Sequence, residues 1–327
     1  MDRDVGLVLS GGGAKGAFQA GVWKAMCELG LDARVQMISG TSVGAINAAA
    51  FAAIHDPDRI CSFWRERVND VVTPNFQALS FDAFCRAAGN VIAGKAFPFH
   101  GLLDRKVIES MIRQLLPVDW PNDAPGVLAT TLECRGSFLE ELETCAYRLH
   151  RFRIDEEPDH LRRVAKILAS AAIPWGFTPV EIDGCRYVDG GWDEKGGENT
   201  PLTPFLDGRS DMKTLVVVRC NSADIEPQPL RSRPESGMRI VEIRPSYRLC
   251  GSFDDLIGMM PDTGIIRDVP FIGSLAGSME ALKRQLRIWS GTFAFGSAYA
   301  KAFLKQGYVD GMAVLRRELW RNDKLKW

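Results

Sequence analysis

A short apolar run, Val35 to Ile38, leads into Gly40-Thr41-Ser42-Val43-Gly44, and an Ala-rich, helix-prone run, Ala45 to Ala53, leads out of it. A chain that must pass from strand to helix through so short a turn has few backbone conformations open to it. The flanking Gly40 and Gly44 let strand and helix approach closely at strained angles, and the serine between them projects its hydroxyl from the turn. Ser42 is therefore a candidate nucleophile on a sharp elbow. The pentapeptide alone admits a second reading, a tight strand-to-helix turn capped by Ser42, and the rest of the chain has to discriminate between the two.

The same succession of elements occurs nearer the start. The apolar run Val5 to Leu9 precedes Ser10-Gly11-Gly12-Gly13-Ala14-Lys15-Gly16, and a helix-type segment, Ala17 to Met26, follows. Consecutive glycines at a helix N-terminus expose backbone N–H groups with no side chain in the way, and the helix dipole adds partial positive charge there. Such a loop suits an anion, either a phosphate or a transient oxyanion. The spacing Gly11-x-Gly13-x-x-Gly16 also satisfies the dinucleotide fingerprint, which wants an acidic residue at the tip of the next strand, about 20 residues on. Here that strand ends at Ile38-Ser39 and enters the Ser42 turn without an acid, so no nicotinamide or flavin cofactor is expected. A P-loop fails on frame, because Lys15 does not follow Gly-x4-Gly and no Ser or Thr comes after it. On helical periodicity Lys15 is expected to face solvent.

A third element is Cys185-Arg186-Tyr187-Val188-Asp189-Gly190-Gly191, a strand-type run ending in a carboxylate on a tight turn. Asp-Gly is by itself a common turn dipeptide. With the three elements in this order, the chain resembles the patatin-like phospholipases, lipid acyl hydrolases with a Ser-Asp dyad. Carried over residue by residue, Gly11 to Gly16 match the oxyanion loop of that family, Gly40 to Gly44 its nucleophile elbow, and Asp189-Gly190-Gly191 its catalytic turn. Ala169-Ser170-Ala171-Ala172-Ile173-Pro174 with Phe177-Thr178-Pro179 matches the segment that precedes the turn. The resemblance covers roughly residues 4 to 205 and implies a three-layer α/β/α sheet sandwich. One departure is visible: the Asn-x-Pro that commonly closes the turn, here Asn199-Thr200-Pro201, arrives after an extra Trp192 to Glu198. Lying beside the site, the insertion is expected to alter substrate shape more than catalysis.

A serine hydroxyl is a poor nucleophile until a neighbouring base accepts its proton. The four histidines, His55, His100, His150 and His160, lie outside the glycine turns, so the base expected from the resemblance is Asp189. A free Asp has a pKa of about 3.9 and is a weak base at neutral pH; burial in a water-poor pocket would raise it. The same correspondence assigns the oxyanion to backbone N–H groups of Gly11, Gly12 and Gly13, assisted by Val43. Gly16, Gly40, Gly44, Gly190 and Gly191 support the turns. No metal is implied.

At 327 residues the chain can bury a large core. Helix- and strand-type segments alternate through about residue 220, ending in the buried-strand run Thr214 to Val218, which argues for one α/β sheet. Residues 1–220 are accordingly expected to form the core. Residues 221–327 read as a C-terminal extension packed on the same domain: a polar connection from Asn221 to Pro234, a β-type run from Met238 to Ile243, then mostly helix, with Ala276 to Ile288 and Ala298 to Gln306 the best candidates. A net charge of −1 and the lack of a recognition motif point away from nucleic acid. Basic clusters occur at Arg148, His150, Arg151 and Arg153, at Arg162, Arg163 and Lys166, and at Arg316, Arg317, Arg321, Lys324 and Lys326. The last carries Leu315, Leu319, Trp320 and Trp327, a mixture suited either to an anionic membrane surface or to a solvated helix packing its aromatics inward. No run approaches the length of a transmembrane span, the start Met1-Asp2-Arg3-Asp4 does not read as a secretory signal, and the eight scattered cysteines fit a reducing compartment. A cytoplasmic location, with or without peripheral membrane contact, is the expectation.

These features lead to a serine acyl hydrolase acting on phospholipids or lysophospholipids. A lipid-binding or regulatory module on the same scaffold is the alternative, and a dinucleotide enzyme the third. Phe76, Leu79, Phe81, Phe84, Phe97 and Phe99 suit either an acyl groove or a core helix. Some members of the resembling family are switched on by a protein, a nucleotide signal or a membrane, and no motif here selects an activating partner.

Overall fold

Val5–Leu9 is buried along its whole length, the pattern of a strand covered on both faces of a parallel sheet. It is β1 in a computed structural model that describes residues 3–67, 105–135, 147–174, 177–206, 212–223, 237–249, 292 and 294–322. The other strands are β2 (Val35–Thr41), β3 (Gly126–Cys134), β4 (Tyr147–Arg153), β5 (Val180–Ile182), β6 (Cys185–Asp189), β7 (Thr214–Val218) and β8 (Arg239–Ile243). They form one sheet in the order β5-β6-β3-β2-β1-β7-β8, with β4 also paired to β3. From β3 to β8 the neighbours run parallel, whereas β4 and β6 both lie antiparallel to β3. The sheet is therefore mixed.

Side chains of β1 divide between two cores, as a strand's period of two requires. Leu7 and Leu9 join the larger cluster, built with α1 (Gly16–Glu28), α2 (Val43–Ala53), α3 (Pro57–Arg67), α4 (Arg105–Leu115), α5 (His160–Ser170) and α7 (Ser297–Asn322). Val8 points to the other face, where Leu202, Phe205, Met212, Leu215 and Val217 pack around the short helix α6 (Thr203–Leu206). Helices thus flank the sheet on both faces in an α/β three-layer arrangement. The alanines of α2 explain its place: Ala45, Ala48, Ala49, Ala50 and Ala52 are all buried, so the helix is apolar around most of its girth and sits close to β2 and β3.

The long helix α7 lies on α1 through glycines. A Cβ at Gly21 would collide with the Leu304 carbonyl, and one at Gly307 with the Phe18 carbonyl. Beyond residue 220, β8 pairs in register with β7 and α7 covers α1. The helix expected at Ala298 to Gln306 extends from Ser297 to Asn322. The aromatic stretch from Phe76 to Phe99, His100, the segment after Ser252 including Ala276 to Ile288, and Lys324, Lys326 and Trp327 lie outside the described residues.

The basic runs of β4 and α5 are engaged within the protein: Arg148 pairs with Glu133, Arg151 with Glu198, Arg153 with Asp155, Arg162 with Asp183 and Lys166 with Glu157. Arg163 is buried and donates to the carbonyls of Glu157 and Val118. Lys15, expected in solvent, is only 2% exposed, and its Nζ donates to Asn221 Oδ1 at 2.7 Å. The periodicity argument failed because Gly13–Lys15 is a 3-10 turn, whose tighter winding rotates Lys15 inward relative to an α-helical start.

Candidate active site

The site is assembled on β3. Thr41, the last residue of β2, pairs with Thr130, and Asp189, the last residue of the antiparallel β6, pairs with the adjoining Thr131. Two strands approaching from opposite directions therefore deliver Ser42 and Asp189 to neighbouring positions. β1 ends beside them, with Leu9 opposite Gly40, so the first glycine loop leaves the sheet at the same place. This is the carboxyl end of the parallel strands, where open α/β sheets form their crevices.

Ser42 adopts φ 56° and ψ −126°, a conformation that costs a non-glycine residue roughly 1–3 kcal/mol. Its surroundings enforce it. A Cβ at Gly40 would overlap the Gly44 carbonyl, and one at Gly44 would overlap the Leu9 carbonyl, so both glycines are required by close approach. The Ser42 N–H donates to Ser170 Oγ at 2.9 Å, and that hydroxyl donates to the Thr130 carbonyl at 2.5 Å. Ser170 thereby gives the sequence segment before the Asp turn a physical role: it fastens the elbow to β3.

Ser42 and Asp189 are each 6% exposed. The Ser42 side chain stands close enough to the Asp189 carboxylate to lower its pKa, and the Gly191 N–H donates to Asp189 Oδ1 at 2.7 Å. Burial pushes the Asp189 carboxyl up from 3.8 to about 6, against the opposing pull of Ser42 and the Gly191 N–H. The carboxylate is thus a much better base than a free one, which is the outcome expected of a water-poor pocket.

The glycine loop stands beside the serine, with a Cβ on Gly11 falling 3.3 Å from Ser42 Cβ. One assignment is corrected here. The Gly11 N–H donates to the Asn199 carbonyl at 3.0 Å, which removes it from the set available to an oxyanion. The N–H groups of Gly12, Gly13 and Val43 have no acceptor among the described residues. Gly13 has φ 56° and passes so close to Thr292 that a Cβ would strike its carbonyl.

Beneath the loop runs a buried polar chain. Trp64 Nε1 donates to Asn47 Oδ1 at 3.0 Å, Asn47 Nδ2 to Gln19 Oε1 at 2.9 Å, and Gln19 Nε2 to the Ser10 carbonyl at 2.7 Å. Ser10 Oγ in turn accepts from the Cys220 N–H. Gln19 and Asn47 were missed in the sequence, although each is a polar residue in an otherwise apolar helix, which is the signal that would have found them. No described histidine joins the site: His150 packs against Phe152 and Tyr187, where burial lowers its pKa, and His55 is exposed.

An elbow serine, a buried aspartate and a glycine loop thus meet at the carboxyl end of the parallel strands of an α/β protein. Within that class the chain belongs to the patatin-like phospholipase family, whose profile matches residues 7–206. It is 46% identical over 65 residues to lysophospholipase nte1 of Aspergillus terreus, which is 20% of this chain and 4% of that protein. It is 37% identical over 94 residues to the cUMP-AMP-activated phospholipase of Escherichia coli, 28% of this chain and 29% of that one. The chain therefore spans less than a third of either curated relative. Among solved structures it is similar to human GIVD cytosolic phospholipase A2, at 13% identity and a TM-score of 0.43, covering 95% of this chain and 60% of that chain.

Proposed function

We propose that this chain is a serine acyl hydrolase that cleaves fatty acyl esters of phospholipids or lysophospholipids through an acyl-enzyme on Ser42. The observation that carries this reading is the buried Asp189 next to Ser42, its pKa pushed up to about 6 while the Ser42 side chain holds it down. As Ser42 Oγ attacks the ester carbonyl carbon, its proton passes to Asp189. The carbonyl oxygen becomes an oxyanion, met by the N–H groups of Gly12, Gly13 and Val43. Collapse expels the alkoxide of the lipid backbone, which takes the proton from Asp189. Water then attacks the acyl-enzyme, gives a proton to Asp189, and Ser42 leaves as the alkoxide that recovers it. Loss of one oxyanion donor typically costs about 10²- to 10³-fold in rate.

In this reading residues 221–327 pack on the catalytic core as part of one domain. The substrate lies in a bilayer or micelle, so the protein meets it at a lipid surface; among the described residues no helix is long and apolar enough to cross a membrane. The names of the relatives, a lysophospholipase and a phospholipase, support the substrate class. The test is hydrolysis of a phospholipid and its lyso form by purified protein, with Ser42→Ala and Asp189→Asn each expected to abolish it and a fluorophosphonate expected to label Ser42 alone. Full activity in either variant would overturn the assignment.

A further inference from the structure

The inserted stretch Trp192 to Glu198 folds back on itself. Asp193–Lys195 forms a 3-10 turn, the Gly197 N–H returns to the Trp192 carbonyl at 3.0 Å, and the Asn199 N–H donates to Asp193 Oδ1 at 2.7 Å. A self-closed loop of this kind delivers the chain back to the point where it left. Its last residue, Glu198, and the Asn199 that follows meet all three parts of the candidate site.

The Glu198 N–H donates to the Gly190 carbonyl at 2.7 Å, and Gly190 directly follows the base. The Glu198 carbonyl accepts from Thr41 Oγ1 at 2.7 Å, and Thr41 directly precedes the nucleophile. Asn199 accepts the Gly11 N–H from the glycine loop, and its side-chain Oδ1 lies against Gly11 and Gly191, where a Cβ would strike it. The Glu198 carboxylate anchors the junction from outside: Oε2 accepts from Arg151 Nη2 at 2.6 Å, and Oε1 accepts from the Thr203 N–H and hydroxyl at 2.8 Å each.

We infer that Glu198 and Asn199 form a clasp that sets the distance between Ser42, Asp189 and the glycine loop, so that Glu198 and Thr41 are positioning residues for the reaction. The inference rests on the acyl hydrolase reading of the site. It turns the insertion from a feature of the site wall into part of what aligns the reacting groups. Thr41 makes the clearest probe because its side chain is fully buried and its hydroxyl donates to the clasp. Misplacing reacting groups by about an ångström can cost on the order of 10²-fold in rate.

The experiment compares Thr41→Val, Thr41→Ser and Glu198→Gln with wild type on a soluble p-nitrophenyl ester, with melting curves for each and Ser42→Ala as the control. Thr41→Val and Glu198→Gln are expected to lower kcat roughly 10- to 100-fold while KM stays within about twofold. Thr41→Ser, which keeps the hydroxyl, is expected to restore most of the rate. A folded Thr41→Val with wild-type kcat, or a loss that Thr41→Ser does not restore, overturns the clasp. Should Thr41→Val fail to fold, Glu198→Gln decides, since its side chain lies at the outer edge of the junction. If Ser42→Ala is inert while the clasp variants match wild type, only this inference falls. If Ser42→Ala still hydrolyses the ester, the function itself is wrong and the clasp falls with it.

Discussion

Asp189→Asn separates what the carboxylate does for chemistry from what it costs the fold. Asp189 is held at a pKa of about 6 against 3.8 for the free group, with burial as the largest cause. At about 1.4 kcal/mol for each tenfold change in proton affinity, keeping the group ionised in the folded state costs about 3 kcal/mol. The folded protein therefore binds this proton more tightly than the unfolded chain. Its favourable contribution is fully present below about pH 4 and is lost as pH rises through about 6. Asparagine removes the ionisation while retaining an oxygen that can accept the Gly191 N–H. Urea denaturation of both proteins from pH 4 to 8 is expected to show Asp189→Asn gaining on wild type as pH rises, by up to about 3 kcal/mol above pH 7, with the gap closing near pH 4. The variant is expected to be inactive throughout. A stability difference that does not vary with pH between 4 and 8, or one that favours wild type as pH rises through 6, would refute the assignment of a buried, charge-penalised base.

The rate should follow the same group: kcat/KM is expected to rise with pH to a plateau through a midpoint near 6, with only about a tenth of the plateau left at pH 5; a midpoint near 4 would show an ordinary exposed carboxylate. Ser170→Ala removes both the acceptor for the Ser42 N–H and the donor to the Thr130 carbonyl. Urea titration should give a loss of about 1–3 kcal/mol, with fluorophosphonate labelling of Ser42 slowed about tenfold or more as the elbow loosens. Gly44→Ala places a methyl on the Leu9 carbonyl and is expected to cost roughly 3 kcal/mol or more, read as a lowered melting temperature or as loss of soluble protein.

Much of the site was legible because its parts are local. A strand leading into Gly-Thr-Ser-Val-Gly and an Ala-rich helix leading out demand a serine at strained angles, and Ser42 has them. The run of three glycines at the head of α1 likewise announced backbone donors. Local reasoning then failed where a neighbour distant in sequence intervened. Gly11 looked equivalent to Gly12 and Gly13 until the Asn199 carbonyl took its N–H. Lys15 looked solvated until a 3-10 turn redirected it towards Asn221. Sequence alone could not say which acids meet the basic runs at Arg148 to Arg153 and Arg162 to Lys166, because partners such as Glu198 for Arg151 and Asp183 for Arg162 lie many residues away.

The sequence by itself determined the chemical inventory and the local shapes: a serine on an elbow, a carboxylate on a turn, a glycine loop and a chain of alternating helices and strands. Those follow from backbone sterics and from periodicity over a few residues. Only the tertiary structure decided that Ser42 and Asp189 meet. Their contact depends on β2 and β6 reaching β3 from opposite directions and ending on adjoining residues, Thr130 and Thr131. A one-residue slip in either register would turn the side chains to the other face of the sheet. Register is set by the packing of the whole sheet against its helices, and no stretch of sequence short enough to read as a motif contains it.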